Sequence, residues 1–113
     1  MEKPQQLAQI QERVRQQQYR LTSHAERERE SDRITKEEIE EAFLSGPASR
    51  CGVIESYPED VRGRSCLVLG FGRGARPLHI VCGLGAEMLV IITVYRPDPE
   101  QWISWRVRRQ LQP

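Results

Sequence analysis

Residues 76–95, Arg76-Pro77-Leu78-His79-Ile80-Val81-Cys82-Gly83-Leu84-Gly85-Ala86-Glu87-Met88-Leu89-Val90-Ile91-Ile92-Thr93-Val94-Tyr95, decide the fold. Two apolar stretches rich in β-branched residues, Leu78–Cys82 and Met88–Tyr95, flank Gly83-Leu84-Gly85. Such stretches read as strands, and a connection this short returns the chain antiparallel. The same pattern extends toward the N-terminus. Cys66–Gly70 is a third apolar stretch, and Gly70-Phe71-Gly72-Arg73-Gly74 joins it to the next. Residues 50–58 alternate weakly and are followed by Gly63. The reading is a four-stranded antiparallel meander. The glycines at 70, 72 and 74 resemble a phosphate loop only superficially, because no helix and no Gly-Lys-Ser/Thr follows them; they read as a hairpin turn.

Upstream of residue 49 the period is helical. Residues 3–18 hold seven glutamines around Leu7, Ile10 and Val14, a narrow stripe at i, i+3 and i+7. So thin a stripe predicts an appendage (residues 1–18) that packs peripherally or self-associates into a homodimer, beside a single domain over 19–113. Ser23-His24-Ala25-Glu26 reads as a capping box opening a charged helix to about Arg33. Thr35-Lys36-Glu37-Glu38 is a second box, with Ile34, Ile39, Ala42 and Phe43 as the apolar stripe and Gly46-Pro47 as the stop. At the other end, Asp98-Pro99-Glu100-Gln101 has the form of an N-cap, N1 proline and N3 glutamine. It predicts a C-terminal helix to about Arg109 with Trp102 and Trp105 facing the core. The expected class is α+β: N-terminal helices packed on a four-stranded antiparallel sheet, with a C-terminal helix.

Composition narrows the function. The chain has 113 residues, enough for one core, and 38% are apolar, so global disorder is excluded. No apolar run approaches a membrane span and no apolar stretch opens the chain as a secretory signal, so a cytoplasmic protein with no membrane contact is expected. The net charge of +1 hides an asymmetry. Residues 1–61 carry nine Lys/Arg against thirteen Asp/Glu, whereas residues 62–113 carry eight against three. Fifteen of the seventeen cations are Arg, whose planar fork matches phosphate oxygens. An Arg-rich basic half suits RNA or DNA as partner. Cys51, Cys66 and Cys82 stand too far apart for a disulfide framework or a zinc knuckle and read as small buried apolar residues. Neither a metal site nor a cofactor is expected.

Three stretches together, Ser23-His24-Ala25-Glu26-Arg27, Ile34-Thr35-Lys36-Glu37-Glu38-Ile39 and Ile92-Thr93-Val94-Tyr95, with Arg76-Pro77-Leu78-His79-Ile80-Val81 between the last two, resemble the DUF4258 family. That family is similar to the RelE/MqsR/BrnT ribonuclease toxins. The resemblance covers about residues 19–106 and implies helices followed by an antiparallel sheet, endoribonuclease activity on mRNA, and a cognate antitoxin of zinc-finger or DNA-binding type.

Cleaving RNA without a metal requires a base for the 2′-hydroxyl, cations for the phosphorane and an acid for the 5′-oxygen. The two histidines, His24 and His79, are the candidates for acid–base work. His24 stands in the first turn after the Ser23 cap, where free N–H groups favour an anion, and Arg27 shares its helix face. The resemblance points at the same two residues. His79 alternates with Leu78 and Ile80; if those face the core, it lies on the open face. Tyr95 and Arg96 end the last strand and Arg76 begins the one before it, so Tyr95 is the candidate to orient a base or the phosphate and both arginines are candidates to bind phosphate. Two functions from different classes fit: a toxin-like endoribonuclease working by metal-independent transesterification, and a non-catalytic RNA- or protein-binding module on the same fold.

Overall fold

The glycine-rich connections do close a meander, and a fifth strand extends it. The computed structural model describes residues 3–44, 51–59 and 63–110. Its elements are α1 (Lys3–Arg15), β1 (Tyr19–Leu21), α2 (Ser23–Ser31), α3 (Lys36–Leu44), β2 (Gly52–Tyr57), β3 (Ser65–Phe71), β4 (Pro77–Leu84), β5 (Leu89–Tyr95), β6 (Trp102–Ile103) and β7 (Val107–Arg108). Strands β2 to β5 pair antiparallel in sequence order, and β1 adds parallel to β5, giving the order β1-β5-β4-β3-β2. The α+β class holds. The purely antiparallel four-stranded sheet does not, because three residues after α1 pair with β5 as Tyr19↔Leu89, Arg20↔Val90 and Leu21↔Ile91. The stop signal at Gly46-Pro47 lies outside the described residues.

Both early helices end in the same way. The Gln17 N–H donates to the Val14 carbonyl and the Gln18 N–H to the Arg13 carbonyl, with Gln17 left-handed at φ 60°. The Arg33 N–H donates to Glu30 and the Ile34 N–H to Arg29, with Arg33 at φ 56°. These are Schellman closures with a long side chain where glycine is usual. The first turns the chain into β1; the second drops Ile34 into the core, 1% exposed.

The core lies between the helices and one sheet face. Leu78, Ile80, Cys82, Leu89, Ile91 and Val94 meet Ile39, Ala42 and Phe43 there. Ile10 and Val14 of α1, each 1% exposed, belong to the same cluster. The N-terminal helix is therefore not a peripheral appendage, since Gln11 also donates from its side-chain amide to the Phe43 carbonyl at 2.8 Å. Gly70 and Gly72 admit α3: a Cβ on Gly70 would stand 2.1 Å from the Ala42 carbonyl oxygen, and one on Gly72 would stand 2.4 Å from Glu38 Cγ. All three cysteines are free and buried.

The C-terminal helix is absent, and a β-hairpin stands in its place. The Asp98 signal is satisfied within one turn, where its carboxylate accepts from the Glu100 N–H at 2.9 Å and its carbonyl from Gln101 and Trp102. Beyond it, Trp102, Ile103, Trp105 and Val107 are aromatic or β-branched and favour extended backbone. Strands β6 and β7 pair as Trp102↔Arg108 and Ile103↔Val107 around a turn in which Ser104 and Trp105 both have positive φ. No helix among the described residues is long and apolar enough to cross a membrane.

Candidate functional site

The sheet face turned away from the helices has two halves. Residues paired across it share a side, so Leu69, His79 and Tyr95 form one row and Glu55, Leu67, Val81 and Thr93 the next. Leu67 and Leu69 are fully buried yet outside the helix-side core. The hairpin β6–β7 covers this half. His79 is accordingly on the face expected of it, but that face is not open, and His79 is 0% exposed. Its Nε2 lies 2.7 Å from the Trp105 carbonyl and its Nδ1 3.1 Å from the Tyr95 hydroxyl. A carbonyl can only accept, so Nε2 carries the proton and Tyr95 donates to Nδ1. Trp102 meets the imidazole edge to face at 4.4 Å. Burial pushes the His79 pKa down, against the pull of the Trp105 carbonyl and the Glu55 charge, so the ring stays neutral at pH 7. Burial likewise raises the Tyr95 hydroxyl. The structure brings these two predicted residues together, with each already serving the other.

Around them lies a polar rim that sequence reasoning missed. Arg108 grips Glu55 with both arms, Nε to Oε2 at 2.8 Å and Nη2 to Oε1 at 3.1 Å, and stacks 4.6 Å over the Trp102 ring. The Tyr57 hydroxyl donates to Glu55 as well. Burial alone would raise the Glu55 carboxyl, but the Arg108 fork and Tyr57 outweigh it and hold the group below its usual range. Burial and that carboxylate push Tyr57 up to about 12. The sequence hinted at this rim only through the weak alternation of residues 50–58, in which Glu55 and Tyr57 stand two apart, and the bulge between Val53 and Glu55 that sends Val53 to the helix side was not legible there.

His24 and Arg27 stand on α2. The true cap is Thr22, one residue before the expected Ser23: its Oγ1 accepts from the Ala25 N–H at 3.1 Å and donates to the Ile92 carbonyl at 3.0 Å. Helix α2 thus continues from β1 along the remaining edge of β5, where Glu28 Oε1 accepts from the Val94 N–H at 3.1 Å. That covers an edge that would otherwise offer unpaired backbone groups. The same carboxylate oxygen lies 3.3 Å from His24 Nε2. The His24 side chain is 59% exposed. Arg27, one turn on, is exposed.

The two predicted phosphate-binding arginines separate. Arg76 is exposed at the start of β4. Arg96 is not free for phosphate: its guanidinium donates to both oxygens of buried Glu38 on α3, at 3.0 and 2.9 Å. Among the described residues no three histidine, cysteine or carboxylate side chains converge as metal ligands.

Fold and site define an α+β domain with an exposed His–Glu pair beside the sheet edge and a buried His–Tyr–Trp cluster under a hairpin. A family model for a domain of unknown function (DUF4258) matches residues 21–96, more than half of the chain, and the chain belongs to that family. The match contains His24, Arg27, Arg76, His79, Tyr95 and Arg96, and leaves α1 and the β6–β7 hairpin outside it. No curated protein and no solved structure matches the chain.

Proposed function

We propose that this chain is a toxin-like endoribonuclease that cleaves RNA by metal-independent transesterification, with His24 as its acid–base residue. The observation carrying this reading is the exposed His24 imidazole held against Glu28 and followed one turn later by an exposed arginine. A base oriented by a carboxylate is the arrangement acid–base catalysis uses. Here Nε2 faces Glu28, which leaves Nδ1 to take the proton from a ribose 2′-hydroxyl while Glu28 stabilises the imidazolium. The 2′-oxygen attacks phosphorus, Arg27 stabilises the added negative charge, and the P–O5′ bond breaks, with the leaving oxygen protonated by water. The products carry 2′,3′-cyclic phosphate and 5′-hydroxyl ends. His79 and Tyr95 then hold the hairpin on the sheet rather than carry protons. The resemblance to toxins brings with it a small zinc-finger or DNA-binding antitoxin, to which exposed Ile103 and Val107 on the hairpin offer an apolar foothold.

One observation favours the second reading, a non-catalytic RNA-binding module: burial of His79 leaves a single exposed imidazole where acid–base pairs commonly use two. Incubating purified protein with RNA in EDTA and mapping the ends separates them. Cyclic-phosphate ends support cleavage; intact RNA bound to the protein supports the module.

A further inference from the structure

The other half of the outward sheet face is not covered by the hairpin. It holds a groove of about 320 Å³ whose walls include Arg20, Thr22, Arg64, Leu84, Val90 and Ile92. The strand register explains its content. Tyr19↔Leu89 and Leu21↔Ile91 point into the core, so the intervening pair Arg20↔Val90 points to the opposite face. Gly83, paired with Val90, leaves the floor low. Arg20 and Arg64 are both exposed, and among the described residues no carboxylate lines the groove and neither arginine has an ion-pair partner. Leu84, Val90 and Ile92 give the lining an apolar part. Cations beside an apolar lining fit a nucleotide: the arginines take the phosphate and the aliphatic surface takes the base or ribose.

Two features make the occupant a chain rather than a mononucleotide. Arg64 and Leu84 also wall a second groove, of about 260 Å³, which turns round the end of the sheet toward α1, past Gln6, Ser56, Pro58 and Ser65. At the other end Thr22 is both a wall of the first groove and the cap of α2, with His24 two residues beyond it.

We infer that this groove is the single-stranded RNA track leading to His24, with Arg20 and Arg64 each neutralising one backbone phosphate. The inference rests on reading the chain as an RNA-handling protein and adds where the strand lies.

The test uses a fluorescent 2′-deoxy oligonucleotide of six residues, which binds but has no 2′-hydroxyl to react, with affinity measured over a salt series. A single-stranded contact contributes about 0.7 to the slope of log affinity against log salt. Arg20→Ala and Arg64→Ala should each weaken binding about 5- to 10-fold and lower the slope by about 0.7, and the double variant by about 1.4. Arg15→Ala on α1 should leave the slope unchanged. Val90→Trp, which fills the groove without altering charge, should weaken binding at unchanged slope, and thermal melts confirm that each variant is folded. Binding that depends on Arg20 and Arg64 in a protein that cleaves no RNA would remove the ribonuclease reading and keep the track. Cleavage by both arginine variants with unchanged KM and salt slope, or a wild type that does not bind the oligonucleotide, would overturn the track.

Discussion

Replacing Arg96 by alanine separates a structural arginine from a phosphate-binding one. The Glu38 side chain is 6% exposed and its two oxygens accept from the two ends of the Arg96 guanidinium, itself only 19% exposed. Glu38 is also wedged against the turn after β3, where a Cβ on Gly72 would stand 2.8 Å from its Oε2, so the carboxylate has little room to move on that side. Removing one partner of such a pair strands a buried charge, at a cost of about 3–5 kcal/mol. For a domain of this size that lowers the melting temperature by about 12–20 °C. Calorimetry and urea titration measure the loss. Adding Glu38→Gln to Arg96→Ala removes the stranded charge and should recover about 1 kcal/mol or more, a coupling a double-mutant cycle reads directly. An Arg96→Ala protein that melts within about 2 °C of wild type while losing RNA affinity would refute the assignment and return Arg96 to the phosphate-binding group.

Three further outcomes follow from the packing. Ile10→Ala should cost about 2–5 kcal/mol in urea titration, and deletion of residues 1–18 should prevent cooperative folding, because Ile10 and Val14 sit in the core and the Gln18 carbonyl accepts from the Leu89 N–H. Gln17→Gly, relieving a left-handed long side chain, should raise stability by about 0.5–1 kcal/mol in the same assay; a decrease would show that its closure is not strained. His79 has a folded pKa below its unfolded value near 6.5, so the neutral ring's contribution is complete above that value and is lost as pH falls through the folded one. Melts of wild type between pH 8 and pH 5 should therefore fall more steeply than those of His79→Gln, and parallel curves would contradict the buried neutral imidazole.

The sequence was most legible where a single period governed a segment. Leu78, Ile80 and Cys82 alternate against His79, which placed the core face correctly, and the Thr35 box capped α3 as its spacing demanded, with the Glu38 N–H donating to Thr35 Oγ1 at 3.0 Å. Legibility failed where tertiary contact overrode a local signal. Asp98-Pro99 is a genuine turn former, but Trp102 beyond it is buried against His79 on an extended backbone. Strand β1 is three residues long, below what alternation can reveal, and the closure that precedes it uses glutamine where glycine would have announced it. The thin stripe of α1 was read as weak because it is narrow; two residues suffice when both are fully enclosed. Within the candidate site, the His79–Tyr95 pairing depends on a strand register that only the folded sheet sets, but His24 and Arg27 were visible from the spacing of the helix start. Glu28 was not, because its role depends on a β5 edge that only the folded sheet creates. Arg96 looked free because its partner lies 58 residues away.

The central claim is that His24, oriented by Glu28, performs the proton transfer in RNA cleavage. Single-turnover cleavage of a defined single-stranded RNA by wild type, His24→Ala and Glu28→Gln, in EDTA and with folding checked by circular dichroism, tests it most directly. The account predicts a fall of about 10²–10⁴-fold in the chemical step for His24→Ala, with RNA affinity nearly unchanged, and a smaller fall for Glu28→Gln. A folded His24→Ala protein that cleaves at the wild-type rate would contradict it.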